Sequence, residues 1–232
     1  MKRCEPQKRS YKFTLIAFII ILIVSYAIYF LTIESRPTPF NNFVRLADAF
    51  LNGRLYLKDN ISWLELAPYQ GRYYIIPPPM PAILLLPVVA IFGLATNQTL
   101  ISIFFGSINV SLAFLVAGAL IKNRSVQIWS TVMFGFGTIH WWVATAGGVW
   151  TFSLTVAVTF LFLAILLALY KADPLATGLS LGASYWTRLP VILSLPFFMR
   201  EASISSLRHK KTPGQKFPAL NICELKSGDW LV

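Results

Sequence analysis

The sequence has 232 residues, of which 56% are hydrophobic and 12% charged, with a formal net charge of +11. An ordinary soluble domain carries about twice this share of charged residues, so the composition excludes that class and predicts an integral membrane protein. Nucleic acid is not an expected partner, because the basic residues lie between apolar runs and at both ends, where such residues set membrane topology.

The chain begins with the basic stretch "MKRCEPQKRSYK", which is followed by an apolar run over residues 13–33. This run is longer than the apolar region of a signal peptide and has no small-residue cleavage site after it. We therefore predict an uncleaved first transmembrane helix. Residues 1–12 form a cytoplasmic N-terminal tail in this interpretation.

A long polar loop, residues 34–97, separates the first apolar run from the others. Lys and Arg recur after the later runs, and these residues concentrate in cytoplasmic loops. A consistent assignment puts the loop outside the membrane, which requires the proline-rich segment 78–95 to be an external or re-entrant helix. A plain span through 78–95 is the alternative. The remaining predicted spans are 98–121, 126–146, 150–170 and 175–199.

The last of these runs holds "TRLP" in its middle. The charge of Arg188 is costly inside a membrane, and Pro190 breaks a helix, so we expect two short arms that meet near Arg188 at the outer face. The basic tail, residues 200–232, then returns to the cytoplasm with at most short local structure. The predicted fold is all-α and polytopic: a transmembrane module over 13–199 with membrane-parallel helices in a large first outer loop.

The outer loop contains the stretch "NNFVRLADAFLNGRLYL". Its apolar residues recur at helical spacing, which predicts an amphipathic helix lying along the membrane surface. Gly53 is placed to end this helix. The apolar face is predicted to hold Phe43, Leu46, Ala47, Phe50 and Leu51, and the polar face Asn41, Arg45, Asp48 and Asn52.

The same loop combines two acids with several arginines and aromatic residues, a composition that suits a lipid-linked anionic donor. An arginine can bind a phosphate with two hydrogen bonds, and a carboxylate can act as general base toward an acceptor hydroxyl. Tyrosines and Trp63 can stack on a sugar ring. The candidates are Asp48 and Glu65 as catalytic residues, and Arg45, Arg72, Tyr73, Tyr74 and Arg188 as substrate-binding residues.

Each candidate also has a structural interpretation, which the sequence leaves open. Asp48 and Arg45 lie three residues apart on a helix and can form a surface ion pair. Glu65 can be a solvated loop charge, and Arg72 can contact lipid headgroups. Arg188 has the strongest functional case, because it lies within an apolar run. The sequence contains no metal-ligand cluster, so whether a divalent metal is a cofactor also stays open.

The order of "LADAFLNGRLYL", "GRYYIIPPPMPAILLLPVVAIFG" and "GLSLGASYWTRLPVILSLPFFM" resembles membrane glycosyltransferases of the GT-C type. This group includes the protein O-mannosyltransferases and aminoarabinose transferases, and the likeness is closest to prokaryotic members. The resemblance implies an inverting transfer of a sugar from a polyprenyl-phosphate donor at the outer face of the plasma membrane. It also implies that an acid in the first outer loop acts as base or metal ligand, and that Arg188 contacts the donor phosphate.

The chain departs from this group in two ways. Asn41 and Asn42 stand where its members place an acidic pair, so we expect Asp48, further along the helix, to replace that pair. GT-C enzymes also have many more spans, whereas the tail 200–232 contains none, so we expect an N-terminal, truncated portion of such an enzyme. The alternative is a non-enzymatic polytopic membrane protein, either a transporter fragment or an assembly subunit. The sugar, the acceptor and the oligomeric state are not indicated.

Overall fold

The computed structural model describes residues 11–33, 38–170 and 173–211, and most of them are helical. Residues 1–10 of the predicted N-terminal tail, the predicted cytoplasmic Lys171, and residues 212–232 of the predicted C-terminal tail lie outside the described residues. The helices are α1 (Tyr11–Thr32), α2 (Asn42–Leu51), α3 (Met80–Phe92), α4 (Gln98–Leu120), α5 (Arg124–Phe136), α6 (His140–Ala146), α7 (Val149–Leu169), α8 (Pro174–Tyr185) and α9 (Leu195–Lys211), and a hairpin has strands β1 (Leu66–Tyr69) and β2 (Arg72–Ile75).

Three of these helices, α1, α4 and α7, are long and apolar enough to cross a membrane. They coincide with the predicted runs 13–33, 98–121 and 150–170, whose helical assignment is confirmed. α4 is the central helix and packs against α1, α5, α6 and α7. α1 contributes little buried surface: 11% of its most apolar stretch is buried, against 56% for α4 and 50% for α7.

Polar side chains in the middle of the bundle hydrogen-bond to one another and to the backbone. Asn109 on α4 is fully buried, and its Nδ2 donates to the carbonyl oxygen of Thr155 on α7 at 2.8 Å. The Oδ1 atom of Asn109 accepts from Thr159 Oγ1 at 2.6 Å. Interhelical hydrogen bonds of this kind help to hold apolar helices together in lipid, where the hydrophobic effect gives almost no driving force for their association.

The end of α1 and the starts of α4, α6 and α7 meet at one end of the bundle. The indole Nε1 of Trp141 on α6 donates to Thr32 Oγ1 at the end of α1 (3.0 Å). Gln98, the first residue of α4, donates from Nε2 to the carbonyl oxygen of Gly147, just before α7 (2.8 Å). At the opposite end, the Arg124 guanidinium lies over the Phe13 ring, 3.6 Å from its centroid. The basic turn before α5 and the loop 38–97 therefore lie at opposite ends of the helices.

The predicted span 126–146 is wrong as a single helix, because it divides into α5 and α6. The Gly137 N–H bonds to the Met133 carbonyl oxygen at the end of α5. The Thr138 hydroxyl donates back to the Phe134 carbonyl and accepts from the N–H of His140, where α6 begins. Each half is too short to cross a hydrocarbon core of about 30 Å.

The first loop contains two helices and a hairpin. α2 ends at Leu51, and Gly53 follows in the left-handed conformation (φ 68°), as the sequence predicts. The apolar face of α2 packs against α3 and α7, where Phe43, Ala82 and Phe152 are buried together. α3 has 13 residues, about 20 Å of helix, and is too short for the plain span.

The prediction of an all-α protein is wrong in one segment, residues 66–75. These residues form an antiparallel hairpin whose turn, Gln70 and Gly71, has positive φ at both positions (50° and 71°). That pair of angles is typical of the two-residue turns that match the twist of a hairpin.

The run 175–199 is interrupted at the predicted place. α8 ends at Tyr185, and a 3₁₀ segment (Leu189–Ser194) follows Arg188 and joins α8 to α9. The interruption has two causes in the sequence, the charge of Arg188 and the ring of Pro190. α9 then continues to Lys211, so helical structure extends into the segment predicted to be a polar tail with short local structure.

Candidate functional site

A large open cleft lies at the end of the bundle where α1 ends and where α4, α6 and α7 meet. Its volume is about 1000 Å³. The lining combines aromatic side chains with a few polar groups, which is the usual character of a ligand site. Residues from the first loop form part of its wall. The lining includes Thr32, Asn42, Trp63, Glu65, Thr99, Trp142, Gly148 and Trp150.

The short link between α6 and α7 fixes one wall of the cleft. Gly147 has a left-handed backbone (φ 61°), and a Cβ there would lie 2.6 Å from the Cα of Thr99. No other residue type fits so close to the backbone of α4. The Gln98 Nε2 atom donates to the carbonyl oxygens of Gly147 (2.8 Å) and Phe40 (3.3 Å). These contacts hold the first loop, α4 and the start of α7 together at the cleft.

Trp150, at the start of α7, connects an acid and an arginine. Its indole Nε1 donates to Glu65 Oε2 at 3.2 Å, and its carbonyl oxygen accepts from Arg188 Nη2 at 2.8 Å. Glu65 follows α2 by a long loop, and Arg188 comes from the interruption after α8. The fold therefore brings a carboxylate and a guanidinium to the two sides of one residue at the cleft wall.

Arg188 carries the charge that most favours an anionic ligand near the cleft. Its Nε atom is buried and has no hydrogen-bond partner. Burial lowers the pKa of the Arg188 guanidinium, but an arginine side chain remains protonated in proteins. A half-buried cation with a free donor is stabilised when a phosphate or carboxylate binds beside it.

Two buried polar residues on the cleft lining also have unsatisfied atoms. Asn42 is 1% exposed, and neither its Nδ2 nor its Oδ1 has a hydrogen-bond partner. Thr99 is 5% exposed, and its hydroxyl also has none. Native proteins satisfy the large majority of such groups, so an ordered water or another small polar group is expected beside these two residues.

No family model matches this chain, and no curated protein or solved structure is significantly similar to it. The likeness to GT-C enzymes is therefore a likeness of motifs alone. The chemistry of the cleft is the independent basis for a functional proposal.

The structure separates the two predicted catalytic acids. Glu65 lines the cleft, whereas Asp48 on α2 is not among the lining residues. Asp48 accepts hydrogen bonds from Asn52 through its backbone carbonyl oxygen only. The alternative of an Asp48–Arg45 ion pair does not form either, because the Nε of Arg45 donates to Asn41 Oδ1 at 2.9 Å.

The predicted binding residues of the hairpin lie beside the cleft lining and not in it. Arg72 lies over the Tyr56 ring, with its guanidinium carbon 4.5 Å from the centroid. Tyr74 contacts the rings of Tyr56 and Tyr69. Tyr73 packs against Leu57 and Leu64 in a small cluster under the hairpin. Of the predicted set, the structure brings only Glu65 and Arg188 to Trp150.

Sequence reasoning missed Asn42, Thr99 and Trp150 as site residues. The sequence pattern marks Asn42 only as a departure from an acidic pair and does not mark Trp150. The sequence does contain a signal for Asn42, because this polar residue lies on the side of an amphipathic helix that is otherwise apolar and buried. No sequence signal distinguishes Thr99 from other threonines on apolar helices. Among the described residues, no group of three His, Cys, Asp or Glu side chains could hold a metal ion.

Proposed function

We propose that this chain is a polytopic membrane glycosyltransferase of the GT-C kind, or its N-terminal part, that takes a sugar from a polyprenyl-phosphate donor. The observation that carries the proposal is the cleft at the shared end of three apolar helices, with Glu65 and Arg188 both bonded to Trp150. A lipid-linked donor needs an apolar path for its chain, a cation for its phosphate and a carboxylate for the acceptor. The cleft has an apolar, aromatic lining and the carboxylate of Glu65, and Arg188 lies next to the lining through its bond to Trp150.

The proposed chemistry is a single displacement at the anomeric carbon of the donor. An acceptor hydroxyl loses its proton to the Glu65 carboxylate as its oxygen bonds to C1 of the sugar. The bond between C1 and the phosphate oxygen breaks, and its electron pair leaves with the polyprenyl phosphate. Arg188 stabilises the charge that develops on that phosphate. Inversion at C1 follows from attack on the face opposite the leaving group.

Glu65 is proposed as the base in preference to Asp48 because Glu65 lines the cleft and Asp48 does not. In this proposal the membrane-parallel helices are α2 and α3, which cover the cleft end. The N-terminus and the turn at Arg124 face the cytoplasm, and the cleft opens outside the plasma membrane of a prokaryote. A cysteine replacing exposed Asn60 should then react with an impermeant thiol reagent in intact cells, whereas one replacing Ser125 should not. The reverse pattern would contradict this orientation.

The experiment compares Glu65→Gln with Asp48→Asn in purified protein supplied with a panel of polyprenyl-phosphate sugars. The amide of Glu65→Gln can still accept the Trp150 hydrogen bond but cannot take a proton. We expect it to lower the transfer rate about a hundredfold to ten-thousandfold. Asp48→Asn is the matched control and should transfer at the wild-type rate. Loss of transfer in Asp48→Asn alone would return the role of base to Asp48. No transfer by the wild-type chain with any donor would favour the non-enzymatic alternative.

A further inference from the structure

The lining of the cleft combines a negative charge with exposed aromatic rings. Of the lining residues that the structure describes, Glu65 alone has a charged side chain, and it is exposed. Arg188 is not one of them, although its Nη2 atom donates to the carbonyl oxygen of Trp150 at 2.8 Å. A phosphate is therefore favoured beside Arg188, whereas the electrostatics of the lining itself favour a cation.

Three tryptophans on the lining have rings that a ligand can reach. Trp63 is 55% exposed, Trp142 62% and Trp150 56%. Among the described tryptophans, ring stacking is seen only for Trp141, which contacts Phe136, so the three rings of the cleft do not stack on other rings. The face of an indole carries partial negative charge and attracts a cation within about 6 Å of its centre.

Trp150 and Glu65 place a ring and a carboxylate next to each other. The indole Nε1 of Trp150 donates to Glu65 Oε2 at 3.2 Å, which fixes the carboxylate beside the ring. A trimethylammonium group suits such a pair better than a primary ammonium does. It has no N–H donors that need acceptors, and its positive charge is spread over methyl groups that pack against aromatic faces.

We infer that the cleft binds the quaternary ammonium group of an organic cation, with the three tryptophans against its methyl groups and Glu65 as its counter-ion. The inference goes beyond the proposed transfer reaction and requires no turnover. A cation at Glu65 would compete with the acceptor of that reaction and not with the donor phosphate. The same group occurs in free choline and in the headgroup of phosphatidylcholine. In the lipid, the phosphate that follows the ammonium would bind Arg188, beside Trp150.

The experiment is a calorimetric titration of the purified protein in a non-ionic detergent, without any sugar donor. Choline is compared with its neutral isostere, in which a tert-butyl group replaces the trimethylammonium group. We expect choline to bind at least about tenfold more tightly, because the rings and Glu65 attract its charge, which the isostere lacks. Sodium chloride at the same concentration is the blank for each titration.

Two variants test the charge and the rings separately. Glu65→Gln keeps an acceptor for the Trp150 indole but removes the charge, so it should lower the affinity for choline about tenfold and leave that for the isostere unchanged. Trp142→Leu replaces an exposed ring with an aliphatic side chain and should lower the affinity for choline about threefold, and that for the isostere less. Trp129→Leu is the matched control, since Trp129 on α5 is 67% exposed and lies outside the lining. It should change neither affinity.

A short-chain phosphatidylcholine distinguishes the two sources of the group. If the headgroup is the ligand, this lipid should bind more tightly than choline, and Arg188→Ala should remove the difference. If the free cation is the ligand, choline should bind as tightly as the lipid, and Arg188→Ala should change neither affinity.

Equal affinities of the wild-type protein for choline and its isostere would overturn the inference. Choline binding that is unchanged in Glu65→Gln and Trp142→Leu would overturn it as well. A loss in Trp129→Leu as large as that in Trp142→Leu would mean that choline binds exposed tryptophans anywhere on the protein. Because the titrations contain no sugar donor, a protein that binds choline but transfers no sugar would sink the proposed reaction alone. Transfer without choline binding would sink only the cation site.

Discussion

Two buried asparagines in this protein have opposite surroundings. Asn109 in the middle of α4 donates to Thr155 and accepts from Thr159, so that it links α4 to α7. Asn42 at the start of α2 is equally buried and has no partner for either amide atom. The first belongs to a packed layer between helices, and the second lies buried beside a cleft of about 1000 Å³.

The difference separates a satisfied amide from an unsatisfied one within one residue type. A buried amide without a partner costs about 1–3 kcal/mol, whereas a satisfied one contributes a modest net stabilisation. The protein therefore loses stability at Asn42 that it does not lose at Asn109. An ordered water or a ligand that supplies the missing partners removes this cost, so the state of the hydrogen bonds distinguishes two residues that burial alone does not.

The packing of the middle of the bundle gives the largest expected effect. Gly106 lies one helical turn before Asn109, and a Cβ there would be 2.5 Å from the Cβ of Ala144 and 3.3 Å from the Tyr29 ring. Gly106→Ala should lower the free energy of unfolding by about 1–3 kcal/mol, because the helices must move apart. The measurement is thermal unfolding in detergent, followed by tryptophan fluorescence.

Gly178 on α8 is the matched control for this substitution, since a Cβ there would meet nothing within 4 Å. Gly178→Ala should raise the stability by up to about 1 kcal/mol through helix propensity. Equal shifts of the unfolding temperature in Gly106→Ala and Gly178→Ala would mean that the region around Asn109 is not tightly packed. That result would contradict the structural role of Asn109.

The two asparagines can be compared directly, with an intermediate expected effect of opposite sign. Asn109→Leu removes both interhelical hydrogen bonds and should destabilise the protein by about 1–2 kcal/mol. Asn42→Leu replaces an unsatisfied amide with an apolar group of similar shape and should leave the unfolding temperature unchanged or raise it. Both variants are unfolded thermally without ligand. A larger loss in Asn42→Leu than in Asn109→Leu would show that Asn42 has partners in solution.

Helix caps at the two ends of the bundle give the smallest expected effect. Asn97 accepts from the N–H groups of Thr99 and Leu100, and Asn123 accepts from those of Ser125 and Val126. Replacing either asparagine by alanine should cost about 1 kcal/mol. Thermal unfolding in detergent measures both variants. An unchanged stability in either variant would mean that its cap hydrogen bonds do not form in solution.

The sequence predicted those parts of the fold that depend on local patterns. Uninterrupted apolar runs predicted α1, α4 and α7, and helical periodicity with Gly53 predicted α2. The charge of Arg188 and the ring of Pro190 predicted the interruption after α8. In each case the physical cause lies within a few neighbouring residues.

The division between α5 and α6 is also local, since Gly137 ends α5 and the Thr138 hydroxyl bonds to the backbone of Phe134 and His140, but the largely apolar run around it concealed this signal. The site, in contrast, depends on contacts between distant residues, which no local pattern encodes. The site depends on Trp150 meeting Glu65, 85 positions earlier, and Arg188, 38 positions later. The sequence predicted seven site residues from their chemical type. Only the fold separates Glu65 and Arg188, which both bond to Trp150, from Asp48 and the hairpin residues.

The loose packing of α1 has a consequence for how freely its sequence can vary among homologues. About half the surface of Ile16, Ile20 and Ile23 is exposed, so any apolar residue should serve at these positions. Tyr29 is different, because its ring is buried between α4 and α6 and its hydroxyl donates to the Gly135 carbonyl at 2.7 Å. In a library of all single substitutions, α1 should therefore accept most apolar replacements at its exposed positions and almost none at Tyr29 or at Ser25, which is 1% exposed. Two constrained residues in an otherwise permissive helix would make α1 a fast-diverging part of the bundle.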